Sequence, residues 1–591
     1  MTVYKPTWDL DTIFYGGSHS EDLQGYIEDT EVLLSELEKL VHQFLPPKNP
    51  EQTDQLTTII DKLQETSKHL DEFGAFVSCL SAQDVDDKEA GSLVTKRSEL
   101  GAWFNNVMTK FDQKLIQVDS DVWGGMLKTP SLFELAFVLE ERRQKVKDKL
   151  DATQESLMND LAVDGYHAWG QMYDTIVGKM MIELDGEKLS VGQAANKLNS
   201  SDRDQRKKVF DTLQNAWTDQ SDLLTETLNH LSGFRLQTYK NRGWNDVLKE
   251  PLEYNRMSEK TLTTMWETIS KFKNHYKEFL QRKAELLGLD KLSMYDVGAP
   301  IGDSNQNMDY NEGAQFIIEQ FEKFSPKLAE FTAMAFDKQW IEAEDRSGKR
   351  PGGFCTSFPD SEQTRIFMTY SGSLSNVATL AHELGHAYHQ HVMNELPMMN
   401  QGYAMNVAET ASTFAEMIVA DAAVKNASNK EEKVALLEDK IQRSVAFFMN
   451  IHSRFLFETR FYEERKQGTV STERLNELMV EAQKEAYADG LEEYDPTFWA
   501  SKLHFHITDV PFYNFPYTFG YLFSLGVYAK AIEGGSDFED QYIALLQDTG
   551  RMTVEQLAQK HLDVNLEQPD FWEHALELCR ADVEEFLELT S

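Results

Sequence analysis

The chain has 591 residues, with 98 Asp and Glu against 58 Lys and Arg, and a formal net charge of −40 at pH 7. That charge repels the phosphates of nucleic acid and anionic membrane surfaces, so neither is an expected partner. No run is long and apolar enough to cross a bilayer, the first residues lack the apolar stretch of a leader peptide, and Cys79, Cys355 and Cys579 lie far apart; the expectation is a cytoplasmic protein with a large core.

Residues 21–45 place Tyr26, Val32, Leu33, Leu37, Leu40 and Val41 at helical spacing, and Pro46-Pro47-Lys48-Asn49-Pro50 ends that helix. Further helices are expected across 51–82, 86–118 and 131–150, joined by connections short enough for antiparallel packing. Asp185-Gly186, between two partly apolar segments, predicts a hairpin within 180–191. It suggests an N-terminal helical domain of residues 1–195, ending in that hairpin, and a second domain of 196–591 that carries the chemistry below. Helical periodicity returns across 204–240, 258–287 and 311–340. Gly348, Pro351, Gly352 and Gly353 exclude a regular helix, and Phe354–Phe358 and Arg365–Gly372 suit short strands. An exposed edge there could bind an extended peptide backbone, with Phe367, Thr369 and Tyr370 as substrate contacts; a structural hairpin is an equal alternative. Helices across 431–467, 472–489 and 523–591 complete the chain.

Between the strands and those last helices lies His382-Glu383-Leu384-Gly385-His386. On a helix, histidines four residues apart share one face and can reach one small cation. Glu383 projects beside that cation and can take a proton from water. Ser375 or Asn376 suits the cap of this helix. Glu409 lies in the short apolar segment Val407–Ala411, where an unpaired carboxylate is costly and a metal would remove the cost. Two histidines and Glu409 leave one position open, as a catalytic zinc requires. The rival spacing with a third histidine fails, because it needs Gly at 389 and His at 392, where the chain has His389 and Val392. Glu416 lies two turns beyond Glu409 and is a candidate to orient a ligand. Residues 503–521 hold His504, His506, Tyr513, Tyr517 and Tyr521. Such aromatic stripes are more often core than site, but phenols and imidazoles are also the donors a developing oxyanion needs.

These segments together resemble the M3-family zinc metallopeptidases of the oligoendopeptidase F group. The resemblance rests on Trp8-Asp9-Leu10, Asp185-Gly186, Gly348-Lys349-Arg350, the His382–His386 motif, Ala408-Glu409-Thr410-Ala411-Ser412 and the C-terminal His/Tyr segment. It implies one zinc ion held by His382, His386 and Glu409, with Glu383 as general base. It also implies a mainly α fold: a multi-helix, two-lobed shell around a deep substrate channel, with a small β-sheet beside the zinc helix. The implied activity is hydrolysis of internal bonds in short unstructured oligopeptides. Relatives place a histidine and tyrosines in the C-terminal segment to hold the scissile carbonyl. The spacing here differs from theirs, so His504 is the first choice and His506 the competitor. Tyr517 and Tyr521 are the catalytic tyrosines expected, and His506 and Tyr513 are expected on the substrate. Three other readings stand: a zinc carboxypeptidase or dipeptidase, which needs a charged anchor for a peptide terminus; a non-catalytic helical peptide-binding protein, which would not need Glu383; and a purely structural helical scaffold with a chance motif, which leaves Glu409 and the His/Tyr segment unexplained.

Overall fold

The computed structural model describes residues 3–302, 307–535 and 538–591. Helix accounts for 70% of it and strand for 3%, which makes the class mainly α. Helix α1 (Glu21–Gln43) starts at Ser20, whose hydroxyl accepts from the Leu23 amide, and buries Leu23, Ile27, Leu34, Leu37 and Val41. It packs with α2 (Asp54–Gln83) and α3 (Lys88–Leu115). Their inward faces form two neighbouring apolar cores, one around Trp8, Phe14, Phe73 and Phe76, the other around Leu37, Ile59, Phe111 and Trp123. A third and much larger core begins at Tyr173 and continues to Phe586.

The hairpin forms as β1 (Ile182–Leu184) and β2 (Glu187–Leu189), and its turn takes positive φ at Asp185 (54°) and Gly186 (82°), as a tight hairpin turn needs. Ile182 and Leu184 insert into the large core. Apolar packing therefore changes from one core to the next between Leu139 and Tyr173, ahead of residue 195. The stretch 311–340 is two helices, Tyr310–Glu322 and Pro326–Asp337. Ser325 caps the second and Pro326 occupies its first turn, so one continuous helix cannot form.

A three-stranded sheet joins the cores. Strands β3 (Ile341–Glu342), β4 (Phe354–Phe358) and β5 (Gln363–Phe367) are ordered β3-β5-β4, with β3 parallel and β4 antiparallel to β5. Side chains alternate across it: Ile366 and Met368 enter the large core, whereas Phe358 and Phe367 pack with Trp8 and Cys79. This placement corrects the expected edge. Phe367 is fully buried on the central strand, and the Tyr370 hydroxyl donates to Met308 O at 3.0 Å inside the core. Thr369 is exposed but lies beyond the end of β5. The two edge strands are β3 and β4; at the end of β3 Ala343 N donates to Pro6 O at 2.7 Å, so among the described residues the edge left free is that of β4.

The early motifs serve this sheet. Asp9 O accepts from Arg365 on β5, and Trp8 Nε1 donates to Gln83 Oε1 at 2.7 Å. Lys349 Nζ donates to Glu344 O and Met368 O and pairs with Glu342 at 3.2 Å, which ties the turn before β4 to β3 and β5.

Helix α4 (Leu374–Met393) crosses α5 (Met405–Lys425). Next, α6 (Lys430–Val445) runs through a π segment, Ala446–Asn450, into α7 (Ile451–Arg465), so the expected 431–467 helix is one path with a widened turn. Helices α8 (Phe515–Gly534) and α9 (Pro569–Thr590) close the large core. No helix among the described residues is long and apolar enough to cross a membrane.

Within these last elements Asp548 is 2% exposed and accepts from Arg551 at 2.6 Å, Lys560 at 2.5 Å and His561 at 2.7 Å. Burial alone would raise its carboxyl, but the bonds from His561, Lys560 and Arg551 hold it well below the usual range. A depressed carboxyl contributes stability above the unfolded pKa of about 4, and that stability is lost as pH falls through the folded value. Thermal melts of the wild type should therefore decline below pH ~4 more steeply than those of Asp548→Asn, which should be less stable at pH 7 by about 3–5 kcal/mol because it strands the buried partners. Parallel pH profiles for the two proteins would remove the assignment.

Candidate active site

Ser373 caps α4: its hydroxyl accepts from Asn376 N, so the cap lies two residues before the first of the expected positions. The helix buries Val377, Leu380, Ala381 and Leu384 and turns His382 and His386 toward α5. The crossing is very close at Gly385. A Cβ built there would lie 2.4 Å from Ala411 O and 2.5 Å from Ser412 Cα, so only glycine permits the approach. Helix α8 approaches from another side at Gly520, where a Cβ would lie 2.9 Å from Asn406 O and 3.1 Å from Glu409 Cβ. Glu409 is thereby wedged against both histidines.

His382 Nε2 lies 3.3 Å and His386 Nε2 3.5 Å from the same Glu409 oxygen. One ligand atom from each of the three residues falls within 4.8 Å of the others. His382 Nδ1 lies 3.0 Å from Glu416 Oε2. An ionised carboxylate only accepts, so Nδ1 carries the proton and Nε2 presents its lone pair to the cluster. Glu416 is itself paired with Arg443. Ser412 Oγ donates to Glu409 Oε2 at 2.8 Å. Burial lowers His386 to about 4, so it is neutral at pH 7. Burial opposes ionisation of Glu409, but at the low pH where it titrates the histidines are protonated, and the hydrogen bond from His382 with the charges of both brings it down to about 2. A neutral His386 and an ionised Glu409 are the states a divalent cation needs, and a donor set of two imidazoles and one carboxylate fits zinc.

Glu383 stands outside this triad. It is 8% exposed, and burial pushes its carboxyl up to about 7, with His382 opposing and Glu409 adding to the rise. Its Oε1 lies 3.6 Å from where a Gly353 Cβ would stand, so the start of β4 borders the same space. His389 is excluded as a ligand: it is fully buried, stacks on Tyr403, and its Nε2 lies 2.9 Å from Thr549 Oγ1.

The C-terminal His/Tyr segment is brought in by α8 and by contacts from far upstream. Tyr166 OH donates to Thr508 O at 2.9 Å, His167 Nδ1 lies 2.8 Å from Thr508 Oγ1, and Arg235 donates to Ile507 O. Phe512 takes φ 53°, unusual for a bulky residue, and its buried ring on Tyr462 holds the turn. The histidines then separate. His506 is 1% exposed, stacks on Tyr173 with centroids 4.0 Å apart and bonds Lys502 O, so it belongs to the core rather than to a substrate surface. The ring of His504 lies 5.4 Å from that of Tyr513 and 6.4 Å from that of Tyr517. Burial, with the charges of Arg454 and Lys502, lowers His504 to about 4, so the imidazole is neutral. Tyr513 and Tyr517 neighbour each other, and burial and the bond with Tyr513 raise the Tyr517 phenol, which keeps its proton. Tyr521 sits one turn deeper, with its hydroxyl 3.0 Å from Ser444 Oγ.

A cavity of about 540 Å³ opens beside His382 and Glu409, with Tyr517 and Tyr521 on its wall. A second, more polar one of about 450 Å³ lies at the far end of β4, between Thr356, Ser357, Arg97, Gln390 and Gln401. Sequence reasoning missed Arg443 and the β4 edge as parts of this neighbourhood. Nothing local marks Arg443. The order of the strands, which decides the edge, is a long-range property.

The description "Peptidase family M3" matches residues 197–578, and "Oligopeptidase F" matches 114–181. The chain belongs to peptidase family M3. An oligoendopeptidase F homolog of Lactococcus lactis is 23% identical over 97% of this chain and 95% of its own length. A solved chain from Chlamydophila abortus superimposes with a TM-score of 0.84 at 17% identity, covering 99% of this M3 chain and 98% of that one. Oligoendopeptidase F from Enterococcus faecium gives a TM-score of 0.68 at 18% identity, with 96% and 99% covered. At these identities the structures support the shared fold, and the family match over most of the chain supports peptidase chemistry.

Proposed function

We propose that this M3 peptidase cleaves internal bonds of short, unstructured peptides with one zinc ion held by His382, His386 and Glu409. The observation that carries the reading is the convergence of two imidazole Nε2 atoms on one Glu409 oxygen, with His382 Nδ1 already tied to Glu416. Zinc bound there would supply Lewis-acid polarisation of the scissile carbonyl and acidify water. Glu383 takes the proton of the attacking water at its carboxylate and returns it to the leaving amine. The Tyr517 hydroxyl and an N–H of neutral His504 donate to the tetrahedral oxyanion. Tyr521, bonded to Ser444, shapes the wall behind them. The free edge of β4, which starts beside Glu383, aligns the peptide as an added strand. The cavity beside His382 and Glu409 gives a peptide room next to the triad.

The test is a mass-spectrometric digest of peptides of graded length and a folded control, with and without chelator. Internal cuts in the short peptides, abolished by chelator and restored by zinc, are expected; removal of residues from one end only would replace this reading with an exopeptidase. Glu416→Gln should weaken zinc binding by about 10- to 100-fold, read by chelator competition, because His382 loses its orienting partner. Tyr517→Phe should lower kcat by roughly 10²- to 10³-fold with KM little changed, the pattern of a donor that acts in the transition state. A change confined to KM would make Tyr517 a binding residue instead.

A further inference from the structure

Two cations share the ring of Phe498. Lys502 Nζ lies 4.6 Å from the ring centre and the Arg454 guanidinium 5.3 Å from it. Lys502 stands two residues before His504, and Arg454 is on α7. Arg454 Nε donates to Asn450 Oδ1 at 2.9 Å and its Nη1 to Asn514 Oδ1 at 3.0 Å, so it is fastened to the residue next to Tyr513. Both cations therefore border the corner that holds His504, Tyr513 and Tyr517.

Neither has a counter-ion. Among the described residues no carboxylate forms an ion pair with Lys502 or Arg454, in a chain with 98 acidic side chains against 58 basic ones. Burial and the charge of Arg454 lower Lys502 to about 8, against the pull of Asp495, so it is mainly protonated at pH 7. Asp495 is committed elsewhere: its Oδ1 accepts from the Thr497 amide at 2.9 Å, the Thr497 hydroxyl at 2.8 Å and Gln214 Nε2 at 3.3 Å. Asn514 adds a donor that lacks an acceptor. It is 1% exposed, its Oδ1 is taken by Arg454, and its buried Nδ2 has no partner. The guanidinium fixes that orientation, because the amide turned over would set N–H against N–H. An orphaned buried donor and unpaired, partly buried cations are all costly, and an anion is the guest that relieves such costs. There is room for one: Lys502 lines a cavity of about 320 Å³ with Phe498, Trp217 and Tyr487.

We propose that Lys502 and Arg454 bind a substrate carboxylate beside the oxyanion donors, foremost the free C-terminus of the peptide. That end belongs to the half released with the new amine, so the bond cut stays internal. The inference rests on the peptidase reading above and adds a reason for short substrates: only in a short peptide does the carboxyl end come within reach of the bond being cut. An Asp or Glu side chain has the same chemistry, and the experiment separates the two sources.

The experiment compares one short peptide in three forms: free acid, C-terminal amide, and amide with Glu as its last residue. The acid should exceed the plain amide in kcat/KM by at least ~10-fold, carried by KM, as charge-assisted bonds to a carboxylate imply. A gain confined to the acid means that the site reads the terminus; a gain in the Glu amide as well means that it reads carboxylates of either source. Lys502→Met should bring the acid:amide ratio close to one and leave turnover of the plain amide near that of the wild type, and Lys502→Arg should restore most of the ratio. Calorimetry on Glu383→Gln, which needs no turnover and leaves Lys502 in place, should show the same preference for the acid. Equal kcat/KM for all three forms, or equal affinity in calorimetry, overturns the carboxylate site and leaves the peptidase reading intact. An acid preference unchanged in Lys502→Met places the anion elsewhere, and an equal loss for acid and amide makes Lys502 a structural support of His504. Zinc-loaded protein that cuts none of the peptides yet binds the acid at least ~10-fold more tightly than the amide overturns the peptidase reading alone.

Discussion

Glu383→Gln is expected to lower kcat/KM for a short peptide by roughly 10²- to 10⁴-fold while zinc content stays at that of the wild type. Glu383 makes no contact that holds the triad together: His382 is oriented by Glu416, and Glu409 by Ser412 and the two histidines. Gln preserves its volume and removes only its ability to accept a proton. Stability gives a second readout. Burial lifts the Glu383 carboxyl to about 7, so in metal-free protein the ionised form opposes folding as pH rises from the unfolded value of about 4.3 through 7. Neutral Gln has no such penalty, so metal-free Glu383→Gln should melt no lower than the wild type at pH 8. Zinc content by elemental analysis, peptide turnover by chromatography and a melt together decide the matter. Turnover within ten-fold of the wild type would remove Glu383 from the role of base.

Gly385→Ala is expected to damage the centre without touching any ligand. The added Cβ would stand 2.4 Å from Ala411 O and 2.5 Å from Ser412 Cα, and both atoms are backbone of α5, which cannot rotate aside. Relief requires the two helices to separate by about 1 Å, since ordinary carbon contacts lie near 3.5–4.0 Å. Overpacking of this kind costs about 1–3 kcal/mol. The functional loss should be larger than the stability loss. Glu409 lies two residues before Ala411, so the same shift withdraws it from His382 and His386. A misplacement near 1 Å can cost about 10²-fold in rate. Zinc affinity by chelator competition and kcat/KM should both fall about 100-fold, with a lowered melting temperature. Retention of wild-type zinc affinity would mean that the triad is not set by this crossing.

The local features of the fold were legible because they rest on short-range chemistry. The amphipathic runs of α1 to α3, the Asp185-Gly186 turn, and the His382–His386 pair on one helix face all follow from side-chain periodicity and turn preference. Glu409 was legible for a related reason, since an isolated carboxylate in an apolar segment needs a partner. Ser325-Pro326 was also in plain sight, yet the periodicity on either side of it suggested one helix where there are two.

What tertiary structure decided lies wherever two distant segments meet. The strand order made β5 central, with Ile366 in one core and Phe367 in the other at its end. Phe367 and Tyr370 are therefore closed to the peptide contacts expected of them. His504 and His506 are two residues apart and chemically identical. Tyr173, from another helix, claims His506 for the core, while His504 remains beside Tyr513 and Tyr517. The link from Arg443 through Glu416 to His382 likewise spans three helices. The sequence by itself determined the helical class and picked out the candidate metal donors and candidate base, because those depend on residue type and spacing along one element. Which edge is free and which histidine lies beside the tyrosines depend on packing between elements, where burial and steric contact are fixed only once the whole chain has folded.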